Sequence, residues 1–199
     1  MEDSSPTPSF INNEVEEKLA KELALLKKYV ATGSLAKRIT SAIKSCNLLF
    51  LNLTNIPIFR EDIQVISLLH QPCNDENDLN LKLGSLAELF QVSPEDWKPL
   101  IRGFELWMKR GNTLLLKWLD EQKIPYDHEK VKVWDVIIEW RNSSTPYHPT
   151  NKKLIGLVNF FGLGFPIDYV ELNEKILKKF LESLEMLQRV LNDAYMQRN

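Results

Sequence analysis

Apolar residues recur at intervals of three and four positions along almost the entire chain of 199 residues. This spacing places apolar side chains on one face of an α-helix, whereas a half-buried strand alternates apolar and polar residues. The segment at 131–136 alternates at first, but Asp135 breaks the alternation while the helical spacing continues. The sequence therefore predicts an all-α protein, an up-and-down bundle of four to five long helices with short helices appended.

Glycines and capping residues divide this pattern into separate helices. A first long helix is predicted to end at Gly33, and Ser34 is predicted to cap a second helix, so that the two form a hairpin. The polar stretch 71–78 is predicted to be an exposed connection. Asp127 is expected to cap a later helix, and Asp168 to open a final helix of roughly thirty residues.

Length and composition predict a single domain behind a short leader. With 44% hydrophobic residues, a chain of this length can bury one sizeable core. We expect a flexible leader at 1–10, which is acidic and rich in Pro and Ser, and one helical domain at 11–199. The leader lacks the basic and then apolar order of a secretory signal, and no apolar run approaches the roughly 18 residues of a membrane span. We therefore expect a cytoplasmic protein with no membrane contact.

Charge and cysteine usage exclude several classes of function. A net charge of −2 and a pI near 6.0 argue against a protein that coats nucleic acid, so any contact with nucleic acid is expected to be local. Cys46 and Cys73 lack the spacing of metal ligands, and we expect one buried thiol and one free thiol in a loop. The sequence holds three histidines and no HExxH, paired CxxC or Gly-rich phosphate loop. It predicts neither a metal site nor a cofactor.

The stretch 133–150 carries the strongest candidate for chemistry. Because a buried guanidinium cannot lose its charge, an arginine at the end of an apolar face requires an anionic partner, either a carboxylate or a ligand phosphate. Arg141 has that position, and His148 follows seven residues later, after residues that end the helix. The apolar face that leads to this arginine is made by Val133, Trp134, Ile137 and Ile138.

Arg141, Asn142 and His148 form the pattern R-N-x5-H, which resembles the R-x(4–6)-H motif of the HEPN superfamily. In that family a polar residue commonly follows the arginine, as Asn142 does here. The resemblance implies an all-α bundle with metal-independent endoribonuclease activity, of the kind found in toxin–antitoxin and antiviral defence systems. It also implies a homodimer in which two copies of the motif share one cleft.

Metal-independent RNA cleavage requires a proton acceptor, a proton donor and positive charge at the phosphate. An imidazole such as that of His148 exchanges protons near neutral pH, and the fork of Arg141 can hold two phosphate oxygens. Asn142 is expected to orient the ribose hydroxyl or His148, and the second His148 of a dimer supplies the missing acid or base. Residues expected to contact the RNA phosphates are Ser143, Ser144, Lys152 and Lys153.

Three alternatives remain open from the sequence. The first is a non-catalytic HEPN-like module that binds RNA, a nucleotide or a protein, with an antitoxin or a defence-complex protein as its partner. The second is a purely structural helical protein that binds its partner through the final helix, which carries Phe180, Leu184, Leu187 and Leu191. The third assigns Arg141 to a salt bridge with a buried carboxylate.

Overall fold

The computed structural model describes the backbone of residues 9–103, 110–143 and 151–198, with side chains over 15–103, 110–141 and 154–198. These residues form eight α-helices and no strand, which confirms the all-α fold. The predicted leader lies outside the described residues over 1–8, and its last two residues begin the first helix. The helices are α1 (Ser9–Thr54), α2 (Ile63–Leu69), α3 (Glu76–Glu88), α4 (Pro94–Trp97), α5 (Gly111–Glu121), α6 (His128–Ser143), α7 (Asn151–Phe160) and α8 (Tyr169–Arg198).

The first helix, α1, is a single helix of 46 residues, so the predicted hairpin is wrong. The helix continues through Gly33 and Ser34 without a break. The apolar stripe changes face at this point, because the five positions from Val30 to Leu35 correspond to a rotation of roughly 140° about the axis. In a sequence, a stripe that moves to another face next to a glycine has the same appearance as a helix boundary.

The C-terminal half of α1 packs along α8, and the two helices run parallel. Near the start of α8, Lys28 Nζ lies 2.7 Å from Asp168 Oδ2. Near its end, Arg198 Nη1 donates to the Leu53 carbonyl at 3.1 Å. The α1 residues before Lys28 therefore extend beyond the start of α8, and we call residues 9–27 the α1 arm.

Helix α6 packs between α8 and α3. Trp134 Nε1 donates to Ser183 Oγ of α8 at 2.7 Å, and the Trp134 ring lies 5.5 Å from that of Phe90, just beyond the end of α3. At the other end of α6, Trp140 Nε1 donates to Asn80 Oδ1 at 2.7 Å. The apolar face predicted on α6 is confirmed, since all four of its members are buried.

Local hydrogen bonds confirm two predicted helix starts and correct the prediction for the stretch 71–78. Asp127 Oδ1 accepts from two backbone amides of α6, and Asp168 Oδ1 accepts from Glu171 N at 2.9 Å. Within the stretch 71–78, however, Asp75 caps α3, which begins at the next residue, so the expectation of an exposed connection is wrong there. Cys73 in the same stretch is buried, as Cys46 is, and burial raises the pKa of both thiols to about 12. The predicted loop position of Cys73 is confirmed, since it lies between α2 and α3, but its thiol is buried rather than exposed.

One lysine of α3 lies in the core. Lys82 is only 3% exposed, and its Nζ donates to the Leu69 carbonyl at the end of α2 at 3.1 Å. Burial lowers the pKa of Lys82 from 10.5 to about 8, against the smaller opposing effects of Cys73 and Asp78. Between about pH 8 and 10.5 the unfolded chain therefore binds more protons than the folded one, so this group makes folding more favourable as the pH rises.

Replacing Lys82 by Met should stabilise the protein at pH 7 and lose that advantage as the pH rises. The lowered pKa corresponds to a cost of roughly 3 kcal/mol for the charged form, and loss of the bond to Leu69 offsets part of the gain. We expect a net gain of about 1–2 kcal/mol at pH 7 that declines between pH 8 and 10, measured by urea unfolding. The exposed Lys37→Met is the matched control. A Lys82→Met advantage that does not vary with pH would contradict this assignment.

Candidate functional site

Arg141 lies in the last turn of α6, two residues before the helix ends at Ser143. Its side chain is 37% exposed, although the apolar face that precedes it is buried. The guanidinium therefore leaves the core at the end of the helix and reaches the surface. The expectation of a buried arginine is wrong, because the apolar face of α6 ends one turn before Arg141.

Two side chains at the end of α3 contact the guanidinium. With its amide oxygen facing Arg141, Gln91 accepts from both Nη atoms at 2.5 Å. Glu88 Oε1 lies 3.8 Å from Nη2, and the Glu88 side chain is 41% exposed. A long ion pair between two partly exposed groups contributes little stability. Glu88 is a surface carboxylate, so this contact is not the buried salt bridge that the sequence left open.

Helix α7 contacts α6. Its last residue, Phe160, lines a cleft with Asp127 and Val133 near the start of α6. Lys152 and Lys153 lie in the first turn of α7, as the sequence predicted. The free amides of that turn and the helix dipole favour an anion.

Most of the predicted site lies beyond what the structure describes. Ser144 and His148 lie outside the described residues, and so do the side chains of Asn142, Ser143, Lys152 and Lys153. Of the predicted site side chains, Arg141 alone is described.

Sequence reasoning did not find Gln91 and Glu88. They lie some fifty positions before Arg141 and on another helix, so no local spacing relates them to it. Their contact depends on how α3 packs against α6, which a single sequence does not specify. The sequence contains one signal for such a contact, because the polar Gln91 directly follows the apolar Phe90 at the end of a predicted helix.

A second polar contact on α6 serves packing. The buried Asn112, at the start of α5, donates from Nδ2 to Asp135 Oδ1 at 2.8 Å. Burial and the nearby Glu139 raise the pKa of Asp135, while Arg110 and Asn112 oppose that rise. This hydrogen bond joins α5 to α6.

The described residues provide neither a metal site nor a membrane-spanning helix. Among the described residues, no cluster of three or more His, Cys, Asp and Glu side chains could hold a metal ion. No helix in the same part of the chain combines the length and apolar character needed to cross a membrane. Comparison with protein-family models, curated proteins and solved structures found no match to this chain.

Proposed function

We propose that this protein is a metal-independent, HEPN-type endoribonuclease that cleaves RNA at a site containing Arg141, Asn142 and His148. The observation that carries the proposal is the placement of Arg141. Its guanidinium reaches the surface at the end of α6 and is oriented by Gln91. A fixed positive charge that is accessible from solvent suits a phosphate.

In this proposal Arg141 binds the scissile phosphate. The guanidinium presents its donors in a rigid fork that matches two phosphate oxygens, and it keeps its charge at every physiological pH. Gln91 limits the rotation of the fork, and a partly exposed position leaves it accessible to a polymer. The charge of the phosphate increases as the 2′-oxygen attacks, so a fixed cation stabilises the transition state more than the ground state.

His148 moves the protons in the proposed reaction. One imidazole accepts the proton of the ribose 2′-hydroxyl as its oxygen attacks phosphorus, and a second, protonated imidazole donates to the departing 5′-oxygen. The products are a 2′,3′-cyclic phosphate and a 5′-hydroxyl, and no metal or cofactor takes part. Because each chain offers one such histidine, the second comes from the other copy in a homodimer. Asn142 orients the 2′-hydroxyl or the imidazole.

The remaining contacts hold the RNA backbone. Ser143 and Ser144 supply hydroxyl donors after α6, and Lys152 and Lys153 add charge in the first turn of α7. In this proposal only a few groups contact the RNA backbone, which agrees with a chain whose net charge is −2. We further propose that the enzyme acts as a toxin or an antiviral-defence effector in the cytoplasm, restrained by an antitoxin or another protein of the defence complex.

Cleavage of RNA in the presence of a chelator tests the proposal. Wild-type protein should cut RNA in EDTA and leave 2′,3′-cyclic phosphate ends. Arg141→Ala and His148→Ala should each lower the cleavage rate by at least about 100-fold, the usual effect of losing a group that acts in the transition state. Arg189→Ala, which removes an exposed arginine of α8, is the matched control and should cut at the wild-type rate.

Glu88→Gln separates a role in catalysis from a role in folding. If Arg141 serves the phosphate, neutralising the adjacent carboxylate should leave cleavage unchanged or increase it. If Arg141 serves only to pair with Glu88, Arg141→Ala and Glu88→Gln should lower the free energy of unfolding by similar amounts. Neither variant should then lower the cleavage rate beyond what its loss of stability explains. RNA that stays intact with wild-type protein contradicts the enzyme. RNA that is bound but not cut indicates the non-catalytic binding module instead.

A further inference from the structure

The α1 arm and the turn of α1 that follows it expose a row of large apolar side chains. Every side chain from Val15 to Lys27 is exposed, since this part of α1 lies beyond the start of α8. The arm extends roughly 28 Å from the bundle, at 1.5 Å per residue. Contiguous apolar residues on a surface of this kind indicate an interaction site. The side chains in the row are between 51% and 68% exposed, and they are Val15, Leu19, Leu23, Leu26 and Val30.

The spacing of these residues is that of a coiled coil. From Leu19 onward the intervals are four, three and four residues, which assigns Leu19 and Leu26 to d positions and Leu23 and Val30 to a positions of a heptad. This register gives two heptads with an uninterrupted apolar seam. An ordinary surface helix of a globular protein would bury such a row against its own core.

The charges beside the seam fit a second copy of the same chain in parallel orientation. In this register Glu22 occupies g and Lys27 occupies e of the next heptad. In a parallel dimer each Glu22 faces Lys27 of the other copy, so two opposite-charge pairs flank the seam. In an antiparallel dimer g positions face g positions and e positions face e positions, so Glu22 and Lys27 would not pair across the seam.

Within the part of the chain that the structure describes, this side of α1 is open to solvent. The next d and a positions of the same register are Gly33 and Lys37, and the Lys37 side chain is exposed. The face of α1 that packs into the bundle, which includes Ala36 and Ile39, is rotated by roughly 140° from the seam. A second copy can therefore lie along the seam without meeting α8 of the first.

We infer that residues 19–30 of α1 form a parallel two-stranded coiled coil with a second copy of this chain. A seam of four apolar positions is short for a coiled coil, so the dimer is reversible and depends on concentration. The inference does not depend on the proposed nuclease activity, because it is measured by mass alone. A parallel dimer would place the two copies of Arg141 at the same end of the assembly.

The oligomeric state of the full chain tests the inference. Sedimentation equilibrium or light scattering should give a mass approaching twice 23.2 kDa as concentration rises. Leu23→Glu combined with Leu26→Glu should give a monomer with unchanged helix content. Leu25→Glu is the matched control, since Leu25 is also exposed but lies outside the seam, and it should still dimerise. A wild-type monomer at high concentration overturns the inference, and so does dissociation by the control as complete as that by the seam variant.

Charge reversal tests the orientation. Glu22→Lys alone and Lys27→Glu alone should each weaken the dimer by roughly tenfold at low salt, because each places like charges across the interface. An equimolar mixture of the two variants should form a heterodimer, and the double variant in one chain should recover the wild-type mass. If the mixture associates no better than either variant, the parallel pairing is wrong.

Discussion

Replacing Asn47 by Ala should lower the free energy of unfolding by about 4 kcal/mol. The side chain is buried on α1 and uses both ends of its amide. Nδ2 donates to the Phe59 carbonyl at 2.9 Å and to Glu61 Oε1 at 2.8 Å, while Oδ1 accepts from the Ile58 and Phe59 amides at 3.0 and 2.8 Å. Alanine would leave these buried backbone groups without partners, and each such group costs about 1–3 kcal/mol.

Urea unfolding followed by circular dichroism measures this loss. Asn52→Ala on the exposed side of the same helix is the matched control and should change stability by less than about 0.5 kcal/mol. Asn47→Asp keeps the acceptor but loses the donor and places a carboxylate beside that of Glu61, so it should also be less stable than the wild-type protein. If Asn47→Ala is as stable as the control, the four hydrogen bonds do not hold the segment after α1.

The network of Asn47 also bears on the candidate site. The residues it holds include Phe59, whose ring lies 5.4 Å from that of Phe90, and the next residue, Arg60, donates from its backbone to the Leu89 carbonyl at 2.9 Å. Gln91, which orients Arg141, directly follows this contact. The position of the guanidinium thus depends on a chain of contacts that begins at a polar residue of α1.

Structural features that depend only on residues close together in the sequence were predicted correctly. The buried face of α6 follows from spacing alone, and the caps at Asp127 and Asp168 are bonds between residues two or three positions apart. Where α1 is concerned, the same reasoning was wrong. It assumed that every apolar stripe faces the chain's own core, whereas the stripe on the α1 arm faces solvent.

Contacts between distant polar residues were not predictable in the same way. Three polar residues have the sequence context of surface residues, namely Asn47, Lys82 and Gln91. Asn47 and Lys82 are nevertheless buried. Gln91 contacts and orients the Arg141 guanidinium of α6. Nothing in local spacing identifies the partner of a polar side chain, since the partner is set by how the helices pack. The motif around Arg141 could be located from the sequence, but the residues that position it could not.

Replacing Phe50 by Ala should also cost about 4 kcal/mol, through a cavity in the aromatic centre of the core. The ring of Phe50 is fully buried, stacks on Trp97 at 5.1 Å between centroids and meets Trp118 edge to face at 4.8 Å. Trp97 belongs to α4, which has only four residues, and Trp118 belongs to α5. Phe50 therefore attaches both helices to α1.

Urea unfolding should show the loss, and tryptophan fluorescence should report it locally, because two of the five tryptophans contact Phe50. Leu51→Ala, at the adjacent and exposed position, is the matched control and should cost less than about 1 kcal/mol. Phe50→Leu fills part of the cavity and should cost about half as much as Phe50→Ala. A Phe50→Ala protein as stable as the Leu51→Ala control would mean that α4 and α5 are held to the bundle by other contacts.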